Sequence, residues 1–577
     1  MLRSACWKPW IASSETARPP PPVPPMPSEH QNNQNIAARF DEQAALRPFA
    51  RAIVFPDGTD RFGNTTWSQL TFRQAHTLSD DYARGLKQMG VGVGDRVSLL
   101  VKPCLEFIPL VFAVFKVGAI PVLIDPGMGL DNFLACIARI GPKVLMGEPL
   151  AQVLRMVRRR AFSSVVHTIT NGPRTWFWGG VALPALAVSG DHSFATVHRD
   201  TDDEAAILFT SGSTGPAKGV TYTHGIFQAQ TNHIRDLYGI TPGEVDLACF
   251  PLFGLFSVAM GMTVVIPDMD PTKPAEADPR KLVEAIESHA CTSAFGSPAI
   301  WKNLASWGVK TGLKLPMMKR ILMAGAPVPI QLHEQFQTIF DGNAELHTPY
   351  GATESLPVAS FASHDLLADT ASLTRKGKGV CVGRVAPHMT LRFIRITNDT
   401  IDTWSDDLLV PEGSVGELVV EGPVVTQEYK DEPAHTARAK IERNGRKMHR
   451  MGDVGYRDER GRIWFCGRKS HIVHCSDETM VFPVPCEALF NEHPDVYRTA
   501  VIDAGGRPGL VVELEAGTPT HKRSAIQAEL LAIAQDHEQT ERITSIWFHP
   551  GFPVDVRHNA KIHRPQLATW ARAQPPA

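Results

Sequence analysis

The stretch "LFTSGSTGPAKGV" (208–220) contains three glycines, four hydroxyl side chains and one lysine, with no other charge. Glycine leaves the backbone free to wrap an anion, and hydroxyl groups and lysine donate to phosphate oxygens. The pattern is not a Walker loop, which requires Gly-Lys-[Ser/Thr], because Lys218 follows Ala217 and precedes Gly219. The stretch therefore predicts a phosphate-binding loop of another kind, with a Gly/Ser-rich surface loop as the alternative.

Helical and strand patterns alternate on both sides of this loop. Strand patterns are "DRVSLLV" (95–101), "AIPVLI" (119–124) and "KRILMAG" (319–325), and helical patterns are "DDYARGLKQMG" (80–90), "LEFIPLVFAVFKVG" (105–118), "DPRKLVEAIESHA" (278–290) and "IQLHEQFQTIF" (330–340). Such alternation predicts an α/β architecture with largely parallel sheets.

The length and the local composition of the chain indicate its domain boundaries. Its 577 residues, 43% of them hydrophobic, are enough for about two to four domains. The segment 1–35 contains "RPPPPVPPMP" (18–27), which predicts a stiff tether outside the fold. We expect a large domain over 36–467 and a small C-terminal domain over 468–577, where the patterns become shorter and more polar.

Composition excludes several classes of function. A formal net charge of -2 gives no basic surface for a polyanion, so nucleic acid is not an expected partner. The nine cysteines contain no CxxC pair, which is typical of reduced thiols in a cytoplasm, and no apolar run near the N-terminus has the length of a signal peptide. A cytoplasmic location is expected.

One apolar stretch, "LACFPLFGLFSVAMGMTVVIP" (247–267), has the length of a membrane span. Pro251, Gly254, Ser257 and Gly261 interrupt it, and its end has the pattern of a short buried strand. It predicts a strand end, a loop, a buried helix and a second strand, so no transmembrane segment is expected.

Further motifs follow in a fixed order around the phosphate loop. They are "GDRVSLLV" (94–101), "KVGAIPVLIDP" (116–126), "LMAGAPV" (322–328), "PYGATE" (349–354), "VGELVVEGP" (415–423), "RMGDVGYRDERGRIWFCGR" (450–468) and "NAKIHR" (559–564). Together they resemble the adenylate-forming superfamily of acyl-CoA synthetases, peptide-synthetase adenylation domains and luciferases, over about residues 36 to 570. The resemblance implies a large N-terminal domain of parallel sheets with flanking helices and a β-barrel-like subdomain, followed by a small mobile α+β C-terminal domain.

The resemblance also assigns the nucleotide contacts, with ATP and Mg²⁺ as the implied cofactors. It implies that Tyr350 stacks on adenine, Thr353 donates to the α-phosphate and Glu354 holds the magnesium ion. Asp453 would accept the ribose hydroxyls, and Arg468 would reach the ribose from the domain boundary. The remaining implied nucleotide-binding residues are Thr210, Ser211, Gly212, Ser213, Thr214, Gly215, Lys218, Gly325, Ala326, Pro327, Gly351, Ala352 and Lys561.

Catalysis is implied for Lys561, Glu354, Thr210 and Lys218. Lys561 would come from the C-terminal domain to neutralise charge as the substrate carboxylate attacks the α-phosphorus. The implied reaction forms an acyl adenylate and releases pyrophosphate. A lysine among Arg557, Arg564 and Arg572 would otherwise indicate only a solvated cationic face.

The sequence departs from the motifs of acyl-CoA synthetases at two places, and both concern the second half of the reaction. Gly254 stands where acyl-CoA synthetases typically carry a histidine, which is expected to reshape the entrance of the acyl pocket. The segment after Arg468, "GRKSHIVHCSDETMVFPVPCE" (467–487), lacks the usual K-x-x-G loop that helps to admit CoA. These features resemble the OleC family of β-lactone synthetases in bacterial olefin biosynthesis.

That resemblance implies adenylation of a long-chain 2-alkyl-3-hydroxy acid, whose own hydroxyl then displaces AMP to close a β-lactone. It also implies association with hydrolase-like and reductase-like enzymes of that pathway. The alternatives are a long- or medium-chain acyl-CoA synthetase, a phosphotransferase that uses Lys218, and a non-catalytic nucleotide-binding relative. We expect the acyl pocket to be lined by Phe253, Gly254, Leu255, Phe256, Val258, Met260, Gly296 and Ser297.

Overall fold

A computed structural model describes residues 33–172, 177–209, 217–342, 344–554 and 562–577. The predicted tether therefore lies almost wholly outside the described residues, as do most of the phosphate loop and Lys561. Within these ranges, no helix combines the length and the apolar character needed to cross a membrane. The stretch 247–267 has the predicted form, in which strand, short helical turns and strand follow one another.

The strands are numbered in chain order. They are β1 Arg51–Thr59, β2 Thr65–Thr71, β3 Arg96–Leu100, β4 Ile120–Leu123, β5 Val144–Gly147, β6 His167–Thr170, β7 Val181–Ala182, β8 Glu204–Phe209, β9 Gly219–Thr223, β10 Val245–Ala248, β11 Thr263–Val265, β12 Ser293–Gly296, β13 Arg320–Met323, β14 Glu345–Ala352, β15 Ser355–Ala362, β16 Val380–Val385, β17 Thr390–Ile394, β18 Gly416–Glu421, β19 Lys440–Arg443, β20 Arg446–Arg457, β21 Ile463–Arg468, β22 Val473–His474, β23 Met480–Val481, β24 Val496–Asp503, β25 Pro508–Leu514 and β26 Ile546–Phe548.

The α-helices are numbered in the same way. They are α1 Ala37–Leu46, α2 Phe72–Gln88, α3 Phe107–Lys116, α4 Leu130–Ile140, α5 Pro149–Val157, α6 Leu183–Leu186, α7 His224–Tyr238, α8 Gly254–Ala259, α9 Pro279–His289, α10 Pro298–Thr311, α11 Ile330–Ile339, α12 Ser363–Asp365, α13 Ala371–Arg375, α14 Pro433–Ala439, α15 Pro483–Phe490, α16 Arg523–Gln535 and α17 Arg564–Arg572.

Two large sheets carry the first 468 residues. One has the order β7-β6-β5-β3-β4-β8-β9, and it is parallel except for the antiparallel pair β8-β9, which flanks the phosphate loop. The other contains a parallel part, β1-β11-β10-β12-β13-β14, and continues through β15 into the antiparallel strands β16 to β21, with β17 at its edge. The predicted barrel-like subdomain falls in this antiparallel part, whose strands belong to one open sheet with the parallel part.

The helices between parallel strands cover the sheets. Helix α3 is buried along its whole length, in agreement with a sequence that is apolar on every side except for its last residue, Lys116. Helix α2 begins with a capping box, in which the Thr71 hydroxyl accepts from the backbone of Gln74 and the Gln74 side chain accepts from the backbone of Thr71.

The last hundred residues form sheets of their own. Strands β24, β25 and β26 form a three-stranded sheet, and β22 pairs with β23. Helices α15 and α16 pack with the three-stranded sheet around a core that includes Phe490, Val512 and Leu530. All eight cysteines within the described ranges are free thiols, and six of them are buried.

Candidate functional site

The proposed nucleotide residues lie where several strands of the large sheet end. Tyr350 is near the end of β14, Asp453 lies on β20, and Arg468 is the last residue of β21. Asp453 and Arg468 are direct cross-strand partners, so the antiparallel register brings them together. Residues separated by about a hundred positions thereby form one polar cluster.

Asp453 is the centre of this cluster. Its Oδ2 accepts a hydrogen bond from the Tyr350 hydroxyl at 2.6 Å, and its Oδ1 accepts from Arg468 Nη1 at 2.7 Å. Only 4% of Asp453 is exposed, so both bonds act in a poorly solvated environment. The negative charge of Asp453 raises the pKa of Arg468, while burial and the same charge raise the pKa of Tyr350. Each carboxylate oxygen keeps a lone pair that could accept from a hydroxyl group.

The turn between β14 and β15 presents Thr353 and Glu354. Ala352 pairs with Ser355 across this turn, and a Cβ atom on Gly351 would lie 2.6 Å from the Ser355 carbonyl oxygen. Glycine is therefore required by the close approach of two backbones. The carbonyl oxygen of Thr353 accepts from the buried Tyr222 hydroxyl, which anchors the turn to β9.

Glu354 is held by a second group of residues. Its Oε1 accepts from the Tyr429 hydroxyl at 2.6 Å, and its carbonyl oxygen accepts from the Thr426 backbone amide at 2.9 Å. Lys218, at the C-terminal end of the phosphate loop, places its Nζ 5.2 Å from the centroid of the Tyr429 ring. The lysine of the loop and the proposed metal ligand are thus linked through one tyrosine.

Sequence reasoning missed Thr426, Tyr429 and Lys440. Lys440 is buried, and its ammonium donates to the carbonyl oxygen of Thr426 and, at 3.1 Å, to the Thr426 hydroxyl. Burial lowers the pKa of Lys440 to about 7, and the charge of Glu354 opposes that shift. The only local signal is that "VVTQEYK" (424–430) directly follows the motif "VGELVVEGP".

Several proposed residues lie outside the described residues. They are Thr210, Ser211, Gly212, Ser213, Thr214, Gly215 and Lys561. The chain on either side of the loop is defined, because Phe209 pairs with Gly219 across β8 and β9. Gly325, Ala326 and Pro327 follow β13, with Gly325 at a φ of 95°, on the same edge as Tyr350.

An apolar pocket lies beneath these loops. Of the residues proposed for an acyl pocket, Phe253, Phe256 and Met260 line it, together with Phe295 and Leu322, which were not singled out. The rings of Phe253 and Phe295 stack with centroids 4.0 Å apart and form one wall.

The structure does not bring the other proposed residues into this pocket. Val258 is fully buried in the neighbouring core and Leu255 packs against that core, because one short helix can present only one side to the pocket. Gly254 does not widen the pocket entrance. A Cβ atom there would lie 3.0 Å from Val264 and 3.3 Å from Ile108, and both of these residues belong to the neighbouring core. Gly296 faces the Trp301 ring, and Ser297 is the N-cap residue of α10.

The donor set fits a magnesium ion carried by a nucleotide. Among the described residues, no cluster of three or more His, Cys, Asp or Glu side chains could hold a metal. Glu354 offers one carboxylate, which suits Mg²⁺ because this ion takes most of its ligands from phosphates and water.

Comparisons with known proteins identify the family of the chain. The family described as AMP-binding enzyme matches residues 40–430. The "Olefin beta-lactone synthetase" of Xanthomonas campestris pv. campestris is 42% identical over 94% of this chain and 98% of its own length. The "Acyl-CoA ligase sidI" of Aspergillus fumigatus is 26% identical over 82% of this chain and 78% of its own length.

The fold has solved counterparts as well. The amide bond synthetase McbA from Marinactinospora thermotolerans superposes with a TM-score of 0.75 at 23% identity, covering 93% of this chain and 99% of its own. At that identity the likeness shows the fold alone. The chain belongs to the AMP-binding enzyme family and, within it, to the family of the olefin beta-lactone synthetases.

Proposed function

We propose that the protein activates a long-chain 2-alkyl-3-hydroxy acid with ATP and closes it to a β-lactone. The observation that carries the proposal is the near full-length identity of 42% to an olefin beta-lactone synthetase. The hydrogen-bonded cluster of Tyr350, Asp453 and Arg468 supports it, since this cluster offers a ring, a carboxylate and a cation to a nucleotide.

In the first step, the substrate carboxylate attacks the α-phosphorus of ATP and pyrophosphate leaves. Asp453 would accept from the ribose hydroxyls, Thr353 would donate to the α-phosphate, and Lys218 would face the departing phosphates. Glu354 would hold Mg²⁺, which neutralises phosphate charge when bound. The motif that contains Lys561 supports its role, in which its cation would lie beside the attacking carboxylate.

In the second step, the 3-hydroxyl oxygen attacks the activated carbonyl carbon, AMP leaves and the hydroxyl proton is released. The nucleophile is already tethered to the electrophile, so no external thiol is needed. The products are one lactone, one AMP and one proton for each adenylate. Such a lactone would pass to an enzyme that consumes it, and association with hydrolase-like and reductase-like enzymes stays a prediction.

The test compares two acids in the presence of ATP and Mg²⁺ and in the absence of CoA. The 3-hydroxy acid should release pyrophosphate and yield AMP and lactone in equal amounts. Its 3-deoxy analogue should support adenylate formation without lactone. Lys561→Ala should abolish pyrophosphate release from both acids while ATP binding, measured by calorimetry, changes little.

An acyl-CoA ligase is the second candidate, because a 26% identical relative carries that name. It predicts that AMP release depends strictly on CoA and does not require the 3-hydroxyl group. That result would exclude lactone formation and would still support the adenylation step. Release of ADP instead of AMP would exclude both functions and indicate a phosphotransferase.

A further inference from the structure

The apolar pocket begins at the nucleotide residues and extends down the parallel part of the sheet. Ala324 and Pro349, which line its upper end, directly precede Gly325 and Tyr350. The strands β10, β12 and β13 run so that their carboxyl ends lie at this upper end. Residues near the start of these strands therefore form the floor of the pocket.

The floor carries a carboxyl group. Asp246 lies on β10 opposite Ser293, two residues below the level of Phe295, and both Asp246 and Ser293 line the pocket. Asp246 is 5% exposed, and the Ser257 hydroxyl donates to its Oδ2 at 2.7 Å. Among the described residues, Ser257 is the one hydrogen-bond partner of this side chain, which leaves Oδ1 of this pocket-lining residue without a partner.

The charges around Asp246 do not neutralise it. Arg320, a cation whose charge acts on Asp246, is in an ion pair with Glu244 at 2.6 Å. Burial raises the pKa of Asp246 to about 6, against the opposing effects of Ser257 and Arg320. The apolar pocket therefore ends at a buried carboxyl group that has one unpaired oxygen.

We propose that Asp246 sets the length of the alkyl chain that this pocket accepts. The proposal rests on the proposed function, because it assumes that the pocket receives a chain of the adenylated acid. A terminal methyl group that reaches the floor displaces water from Oδ1 and cannot donate a hydrogen bond to it. Chains that stop short of the floor avoid this loss, and a chain that ends in a hydroxyl group would regain a hydrogen bond.

The experiment measures pyrophosphate release for saturated acids that differ by two carbons, with ATP and Mg²⁺ and the full-length protein. Wild type should show a limiting length beyond which kcat/KM falls about tenfold or more. Asp246→Val should raise kcat/KM about tenfold for acids just beyond the limiting length. Valine is at least as large as aspartate, so a gain cannot come from added space. Asp246→Asn keeps a polar floor and should keep the limit.

A second measurement needs no variant. At the limiting length, an acid with a terminal hydroxyl should react about fivefold faster with wild type than the plain acid of equal length. Asp246→Val should lose this preference. An unchanged length profile in Asp246→Val, or no response of wild type to the terminal hydroxyl, would overturn the proposal. Absence of pyrophosphate release from every acid would instead contradict the proposed function.

Discussion

At the scale of single residues, Glu354 is positioned by side chains from outside its own motif. Tyr429 donates to its carboxylate, and Thr426 donates to its carbonyl oxygen. Lys440 fixes Thr426 in turn, through two hydrogen bonds from a buried ammonium group. A ligand whose direction is set before the nucleotide arrives needs less reorganisation when the metal binds. Lys440 is thus a positioning residue for the proposed magnesium site.

Replacing Lys440 tests this role. Lys440→Met keeps the length of the side chain and removes both hydrogen bonds to Thr426, so Glu354 should lose its fixed position. We expect the apparent affinity for Mg²⁺ to fall about tenfold, with little change in the KM of the acid. The measurement is pyrophosphate release as a function of Mg²⁺ concentration.

A matched control lies on the same hairpin. Lys447 is more exposed and pairs with Glu442 at 2.8 Å, away from Thr426. Lys447→Met should leave the Mg²⁺ dependence as it is in wild type. Equal Mg²⁺ curves for Lys440→Met and wild type would show that Lys440 does not position Glu354.

At the scale of elements, the turn between β14 and β15 joins the adenine and phosphate sides of the site. A methyl group at Gly351 would lie 2.6 Å from the Ser355 carbonyl oxygen and 2.9 Å from the Leu356 side chain. Gly351→Ala should therefore push the two strands apart and lower the free energy of unfolding by about 1–3 kcal/mol. Because Tyr350 and Glu354 flank the turn, kcat/KM should fall at least about tenfold.

Gly92 provides the comparison, since no atom lies within 4 Å of a Cβ atom built there. Gly92→Ala should retain both stability, from denaturant titration, and activity. If Gly351→Ala behaved like Gly92→Ala in both measurements, the turn would not require its close backbone contact.

Local patterns predict these elements well. The helix and strand patterns at 95–124 and 278–340 match β3, α3, β4, α9, β13 and α11, because each has an apolar period or a clear cap. The partners of Glu354 could not be found this way. Thr426 and Tyr429 lie 72 and 75 residues from it, and their pairing depends on how the antiparallel strands fold back.

The pocket shows the same limit of sequence reasoning. Leu255, Phe256 and Val258 are all apolar, and composition alone cannot tell which side of α8 faces the pocket. Asp246 gave no signal, since a single acid within a strand belongs to no motif. Its position becomes visible only when β10, β12 and α8 are placed together.

At the scale of the whole molecule, histidines with lowered pKa values are spread over distant elements. Burial lowers the pKa of His224 to about 3, of His333 to about 4, of His347 to about 4 and of His471 to about 3. Each is a neutral ring in the folded state, whereas an unfolded chain binds protons at a pKa of about 6.5. The proposed boundary at residue 468 falls between these groups, with His471 beyond the large sheet.

These histidines predict how stability depends on pH. Their folded pKa values lie below the unfolded value, so the unfolded state binds more protons as pH falls below about 6.5. The free energy of unfolding should then decrease by about 1.4 kcal/mol per pH unit for each such histidine between about pH 6.5 and its folded pKa. Acid should begin to destabilise the protein at about pH 6.5, above the ordinary pKa values of carboxylates.

His224 allows the contribution of one histidine to this pH dependence to be measured. It is 1% exposed, and its Nδ1 accepts from the backbone amide of Ile36 at 3.1 Å. His224→Gln removes the titrating ring, so the decrease in stability between pH 6.5 and 5 should become shallower by about 1.4 kcal/mol per pH unit. His198, whose side chain is 59% exposed, supplies the control, and His198→Gln should keep the wild-type slope. Denaturant titrations at pH 6.5, 5.75 and 5 give these slopes. Parallel slopes for His224→Gln and wild type would mean that protonation of this ring does not oppose folding.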